Sequence, residues 1–263
     1  MPSSSFDLTG KTAVVTGGNG GIGLGIAEGL AKSGANIAIW ARNDAKARGA
    51  ISVIESLGVE ARFYQVDVTN AQERNEAYLA TLQDFDTIEI LVANAGVNIR
   101  KRPEDLSEAE WNFTQDINVT SVFETCKLFY PHMKARGGGK IITVGSLTTI
   151  FGFGISPAYA ASKAAVVQLS KSLAVAWGQD NIQVNSILPG WIETEMTVQT
   201  RSLSGLTEMV LERTPAGRWG KAEDLEGTAV FLASSASDFV TGVAIPVDGG
   251  FASTLFILEA PQG

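Results

Sequence analysis

Of the 263 residues, 45% are apolar and 18% charged, and the formal net charge is −8. A chain of this length and balance can bury one large α/β core and is globular rather than disordered. Its acidity argues against a sequence-independent nucleic-acid binder, its single cysteine (Cys126) excludes an internal disulfide and suits a metal site poorly, and no run approaches the roughly 18 apolar residues of a membrane span. The opening MPSSSFDLTGK has no basic stretch leading into an apolar one, so no secretory signal is expected. A reducing cytoplasm is the expected compartment.

In chain order, apolar β-branched runs at 11–17, 35–41, 61–67, 88–94, 140–146, 182–188 and 243–249 read as buried strands. Helical patterns fill 22–33, 43–57, 70–84, 107–135, 157–179 and 222–234 between them. This alternation predicts an α/β fold, a Rossmann-like, doubly wound parallel sheet of about seven strands with helices on both faces. No repeat or linker divides it, so 1–263 is expected to be a single nucleotide-binding domain. The stretch 190–220 is long for a plain connection and is expected to be a lid, with a helical patch at GLTEMVLER. His132, the only histidine, stands in LFYPHMKARG at an expected helix end. A Ser-His-Asp hydrolase would need only one histidine, but capping or decorating that end is the preferred role.

After the first strand comes TGGNGGIGLGIAEGLAKSG. Glycine lets the backbone turn sharply and approach a pyrophosphate, and the following helix points its amides at the anion. Gly18, Gly20 and Gly23 satisfy G-x-G-x-x-G, while Gly17, Gly21 and Gly23 satisfy G-x-x-x-G-x-G. Gly17, Asn19, Gly21, Ile22 and Gly23 are the candidate cofactor contacts of this loop. The second strand ends in IAIWARND, with Ala41 where a ribose-binding carboxylate is expected and Arg42 next to it. A guanidinium beside a small residue suits a 2′-phosphate, so NADP(H) is favoured over NAD(H). The alternative leaves Arg42 stacking on adenine, or Asp44 on the ribose with NAD as cofactor. Asn43 joins Arg42 as a candidate contact, and Asp67 and Val68 are expected to meet the adenine.

In SPAYAASKAAV (156–166), Tyr159 and Lys163 stand four residues apart, on one face of a helix. Lining a pocket, they form an acid/base unit; elsewhere they are an ordinary surface pair. The motifs taken together resemble the short-chain dehydrogenase/reductase family, in its one-domain branch, from about Leu8 to Phe251. TGGNGGIG, DVT (67–69), NAG (94–96), IN (117–118), GS (145–146), YAASK (159–163), PGWIET (189–194) and VDGG (247–250) carry the resemblance in order.

The resemblance implies an oxidoreductase with Asn118, Ser146, Tyr159 and Lys163 as its catalytic set. Tyr159 is then the general acid for ketone reduction and the base for alcohol oxidation. An ammonium at Lys163 is expected to draw the phenol's pKa down from its ordinary value of about 10. Ser146 is expected to hold the substrate oxygen, and Asn118 a water that relays protons to Lys163. Asn94, Ala95 and Gly96 form the cofactor floor (a strand-end cap is the alternative for Asn94), and Pro189, Gly190, Ile192 and Thr194 the clamp on the nicotinamide side. A homotetramer is implied, through 107–135, 157–179 and the last strand, with small residues Ala160, Ala161, Ala164 and Ala165 on the second helix. The tail at 252–263 departs from the family pattern and bears on the assembly.

Leu147, Thr148, Phe151, Phe153, Trp191 and Met196 are the candidate substrate contacts, with Arg100 from the basic run Arg100–Arg102. The run binds a carboxylate or phosphate if it borders the site; otherwise it is a solvated charge run. The stretch from Arg213 to Gly242 resembles the gluconate and deoxygluconate dehydrogenases. A sugar acid or polyol is therefore the expected small-molecule substrate, with a 3-oxoacyl thioester or another small ketone as alternatives. A catalytically idle, nucleotide-sensing scaffold is the remote alternative, at odds with the intact catalytic set.

Overall fold

The computed structural model describes residues 4–254; the expected tail therefore lies outside the described residues from 255 onward. Seven strands form the sheet: β1 (Thr12–Thr16), β2 (Asn36–Ala41), β3 (Ala61–Gln65), β4 (Ile90–Ala93), β5 (Gly139–Val144), β6 (Ile182–Pro189) and β7 (Ala244–Val247). All pairs are parallel, in the order β3-β2-β1-β4-β5-β6-β7. The order reverses between β1 and β4, and the connections there leave in opposite directions from a crevice at the carboxyl edge.

Side chains alternate across the sheet, so each strand feeds two cores. Ala13, Val15, Ile37, Ile39, Ile90 and Val92 pack under α1 (Gly21–Lys32), α2 (Asp44–Glu55) and α9 (Glu226–Ala233). Val14, Ala38, Trp40, Leu91 and Ile141 face α3 (Ala71–Phe85), α5 (Ser121–Ala135) and α6 (Pro157–Trp177). Two glycines of α1, beyond the loop's motif, serve this packing. A Cβ at Gly25 would sit 2.6 Å from that of Ala222, and one at Gly29 2.6 Å from that of Glu226. They let α1 lie directly on the segment that leads into α9.

Five of the seven strands stop one or two residues short of the expected ends, β2 ends where expected and β6 runs one residue further. Gly17, Asp67, Asn94 and Ser146 all fall just past a strand, where pairing ends and the chain bends over the crevice. The expected helix 107–135 is α4 (Glu108–Gln115), one π turn (Asp116–Thr120) and α5. Within 190–220, a 3-10 turn (Glu195–Thr197), α7 (Val198–Arg201) and α8 (Leu206–Arg213) follow β6, and only α8 was expected from the pattern. The base of this excursion is stapled: Ile192 bridges Gly220, Gly220 N–H donates to Trp191 O (2.8 Å) and Glu193 N–H to Gly220 O (2.8 Å).

His132 lies in the last turn of α5, where its Nε2 accepts from Ile88 N–H (3.1 Å). It ties the helix end to the entry of β4, and burial lowers its pKa. Among the described residues no helix is long and apolar enough to cross a membrane, and no group of His, Cys, Asp and Glu could hold a metal.

Candidate active site

A cleft of about 470 Å³ opens at the switch point. It is lined by Gly17, Asn19, Gly21, Ile22 and Gly23, by Arg42 and Asn43, by Asp67 and Val68, and by Asn94, Ala95 and Gly96. Ser146, Tyr159, Lys163, Pro189, Gly190, Ile192, Thr194 and Met196 complete the wall from the other side. The cleft thus gathers every candidate cofactor contact.

The glycine turn is tight for a steric reason. Gly17 has φ +65°, and a Cβ on Gly23 would lie 2.4 Å from Gly17 O. α1 starts with neither a side-chain cap nor an acidic residue in its first turn, so its free amides and partial positive charge face the cleft. The cradle fits a pyrophosphate. Beneath it, Thr16 Oγ1 accepts from both Asn94 N–H and Ala95 N–H (3.0 Å each). Asn94 Nδ2 in turn donates to Thr16 O (3.0 Å) and Gly17 O (3.3 Å). Asn94 therefore stitches β4 to β1 under the turn, and Thr16, absent from the sequence-based candidates, is its partner.

At the adenine end, Arg42 is exposed and only loosely paired, 3.9 Å from Asp67. Asp67 is occupied by Thr69, whose hydroxyl (2.7 Å) and N–H (2.9 Å) hold its carboxyl below the ordinary range. Asp44 pairs with Arg48 (2.7 Å) and is not among the residues lining the cleft. Asn43 lines the cleft, but its Oδ1 caps α2 by accepting from Lys46 N–H (3.0 Å). Lys46 was not anticipated: it lines the cleft beside Arg42 and reaches Glu195 across it (2.5 Å).

The acid/base pair lines the pocket. Lys163 is buried, donates to Val144 O (2.7 Å), and has its pKa pushed down to about 8 by burial. Its Nζ lies 5.7 Å from the centre of the Tyr159 ring. Burial raises the Tyr159 pKa, while the hydrogen bond with Ser146 and the charge of Arg100 oppose that rise. The expectation that Lys163 draws this phenol down is corrected. Both groups are removed from water, each therefore favours its neutral form, and the lysine aims at a main-chain carbonyl.

Asn118 is fully buried on the π turn and is not among the residues lining the cleft. Its Nδ2 donates to Val97 O and Ser162 Oγ (2.9 Å each), and its Oδ1 accepts from Val97 N–H (2.8 Å). With both amide hydrogens used, the side chain ties the 97 loop to α6. A Cβ on Gly96 would fall 3.2 Å from Asn118 Oδ1 and 3.4 Å from Lys163 Nζ, so this glycine lets the two elements close.

Of the substrate candidates only Met196 lines the cleft itself. Arg100 Nη2 donates to Met196 O (3.0 Å), while its Nε is buried without a partner. Lys101 pairs with Glu110 (2.5 Å) and Arg102 with Glu104 (2.9 Å), so only Arg100 of the basic run has no carboxylate partner among the described residues. Thr148 N–H donates to Ser146 Oγ (3.2 Å), and its own Oγ1 is a buried orphan, like Asn98 Oδ1 and Ser156 Oγ. Phe153 stands edge-on to Trp191 (6.1 Å). Trp191 also packs on Trp219 (5.5 Å) and Phe251 (6.2 Å) and borders a second hollow with Arg218 and Asp248.

A dinucleotide cradle whose far wall presents a buried tyrosine–lysine pair defines a class of nicotinamide oxidoreductase. The family model described as enoyl-(acyl carrier protein) reductase matches residues 17–252, and the chain belongs to the short-chain dehydrogenase/reductase family. It is 43% identical over 249 residues to 2-dehydro-3-deoxy-D-gluconate 5-dehydrogenase of Bacillus subtilis, covering 95% of this chain and 97% of the relative. Gluconate 5-dehydrogenase of Gluconobacter oxydans is 39% identical over 251 residues, covering 95% and 98%. Among solved structures, a gluconate 5-dehydrogenase from Burkholderia cenocepacia in complex with NADP and tartrate superposes with a TM-score of 0.91. It is 37% identical, with 95% of this chain and 98% of that one covered.

Proposed function

We propose that this protein is a cytoplasmic, NADP(H)-dependent oxidoreductase that interconverts a secondary alcohol and a ketone on a sugar acid. The observation that carries the substrate class is the set of orphaned polar atoms in the loops that follow β4 and β5: Asn98 Oδ1, Arg100 Nε and Thr148 Oγ1, the last on the residue whose N–H bonds Ser146 Oγ. Buried polar atoms without partners are costly, and a ligand rich in hydroxyls satisfies them where an acyl chain does not. The relatives act on gluconate-type acids by name, which supports the same class.

The glycine cradle takes the pyrophosphate, and Arg42, with no carboxylate opposite on Ala41, takes a 2′-phosphate. Pro189, Gly190, Ile192 and Thr194 face the nicotinamide end. A nicotinamide dinucleotide bound there supplies or accepts the hydride. Tyr159 gives a proton to the substrate oxygen during reduction and removes it during oxidation. Ser146 donates to that oxygen as charge builds on it. Lys163 steadies Tyr159 from beneath, and Asn118 acts as a positioning residue. Residues 190–220 close over the site as a lid on one domain spanning 1–263. A homotetramer is supported by apolar side chains left exposed on the helices named for it: Trp111, Phe113, Phe123 and Val175.

The test is one matched assay of nicotinamide absorbance with NADPH and NADH, offering 5-keto-D-gluconate and a 3-oxoacyl thioester. Turnover of the keto acid with NADPH is expected. Turnover of the thioester alone overturns the substrate class, and tighter binding of NADH overturns the cofactor preference.

A further inference from the structure

Arg213, at the end of the lid helix α8, has no part in the chemistry above. Its guanidinium carbon lies 4.4 Å from the centre of the Phe251 ring and 5.8 Å from that of Phe151. These rings meet each other edge-on at 6.2 Å, and Phe251 continues the aromatic wall of Trp191 and Phe153. Arg213 makes no ion pair among the described residues, and its Nε is buried with no partner.

A guanidinium laid on aromatic faces uses its π surface and keeps its edge free. That edge carries the donors that match a carboxylate in a bidentate fork. An arginine fixed in this way loses little freedom on binding, and an orphaned buried donor gains a partner. Arg100 is bonded to the main chain of Met196, which lines the same cleft as Tyr159, so it stands at the reacting end. A hexonic acid reacting near one end places its carboxylate several carbons away from that oxygen, toward a second cation.

We infer that Arg213, stacked on Phe251 and Phe151, is the specificity-determining residue that receives the substrate's carboxylate from the lid. This inference rests on the sugar-acid reading and assigns that acid's far end. It also makes the lid a reader of the substrate, because the end of α8 already rests on the aromatic wall and presents its free guanidinium edge from there.

The experiment measures dissociation constants of D-gluconate on the full-length protein saturated with NADPH, a pair that cannot react. Arg213→Gln is expected to weaken gluconate at least tenfold with NADPH affinity unchanged. Arg213→Lys, which keeps the charge but loses the fork, is expected to fall between. The lysine variant carries the test alone if the glutamine variant does not fold. Wild-type gluconate affinity in these variants, with the loss found in Arg100→Gln instead, overturns the inference and leaves the sugar-acid reading standing. A wild-type protein that neither binds gluconate nor reduces 5-keto-D-gluconate overturns that reading, and the inference falls with it.

Discussion

The two sides of the cleft differ in how their polar atoms are paired. Under the glycine turn, Thr16 and Asn94 satisfy each other and the neighbouring main chain. Outside the cleft lining, in the loops after β4 and β5 and in the 190–220 segment, nine buried side-chain polar atoms among the described residues lack partners. The cofactor side is complete without its ligand and the substrate side is not. A pre-formed floor holds a common cofactor in one pose, while specificity is left to groups that only the right substrate satisfies.

The largest effect separates chemistry from both sides. Tyr159→Phe is expected to lower kcat by about 10²–10⁴-fold while the dissociation constant for NADPH stays within twofold. Near-normal turnover in this variant removes Tyr159 as the acid.

Two matched substitutions test the comparison itself. Thr16→Val leaves the amides of Asn94 and Ala95 without an acceptor and is expected to cost about 2–4 kcal/mol. Thr148→Val deletes a hydroxyl that is already an orphan, so the fold is expected to be unchanged in stability or up to about 1 kcal/mol more stable in thermal unfolding. Its penalty appears only as a raised KM for the keto acid. Equal destabilisation by the two changes would break the contrast.

Lys163 sits at the boundary and gives a shift that depends on pH. Its pKa of about 8 lies below the ordinary 10.5, so burying the ammonium costs stability wherever it is charged. That cost is full below about pH 8 and vanishes as pH rises past 10.5, when the unfolded chain also loses the proton. Lys163→Met is therefore expected to abolish turnover yet stabilise the fold at neutral pH by about 2 kcal/mol, allowing for the lost bond to Val144 O. The gain should shrink between pH 8 and 10.5, as calorimetric unfolding across that range will show.

What the sequence disclosed was mostly local. The strand–helix alternation yields the parallel sheet, and a four-residue interval on a helix puts Tyr159 and Lys163 on one face. Thr16 was not legible, because its partners lie 78 and 79 residues away and become neighbours only through the β1–β4 pairing. The glycine patterns mark Gly17 and Gly23, which shape the turn, but not Gly25 and Gly29, which seat a helix against a segment about two hundred residues away. Nothing in DINVT marks a π turn, so the burial of Asn118 came only with the structure. Arg100, Lys101 and Arg102 look alike in the chain. Where Glu104 and Glu110 fall decides which of the three is left without a carboxylate.

Arg100 holds the 190–220 segment by the main-chain carbonyl of Met196, an atom that every residue type possesses. The tether is therefore indifferent to what stands at position 196, and a substitution there reshapes the cleft wall while the anchor stays in place.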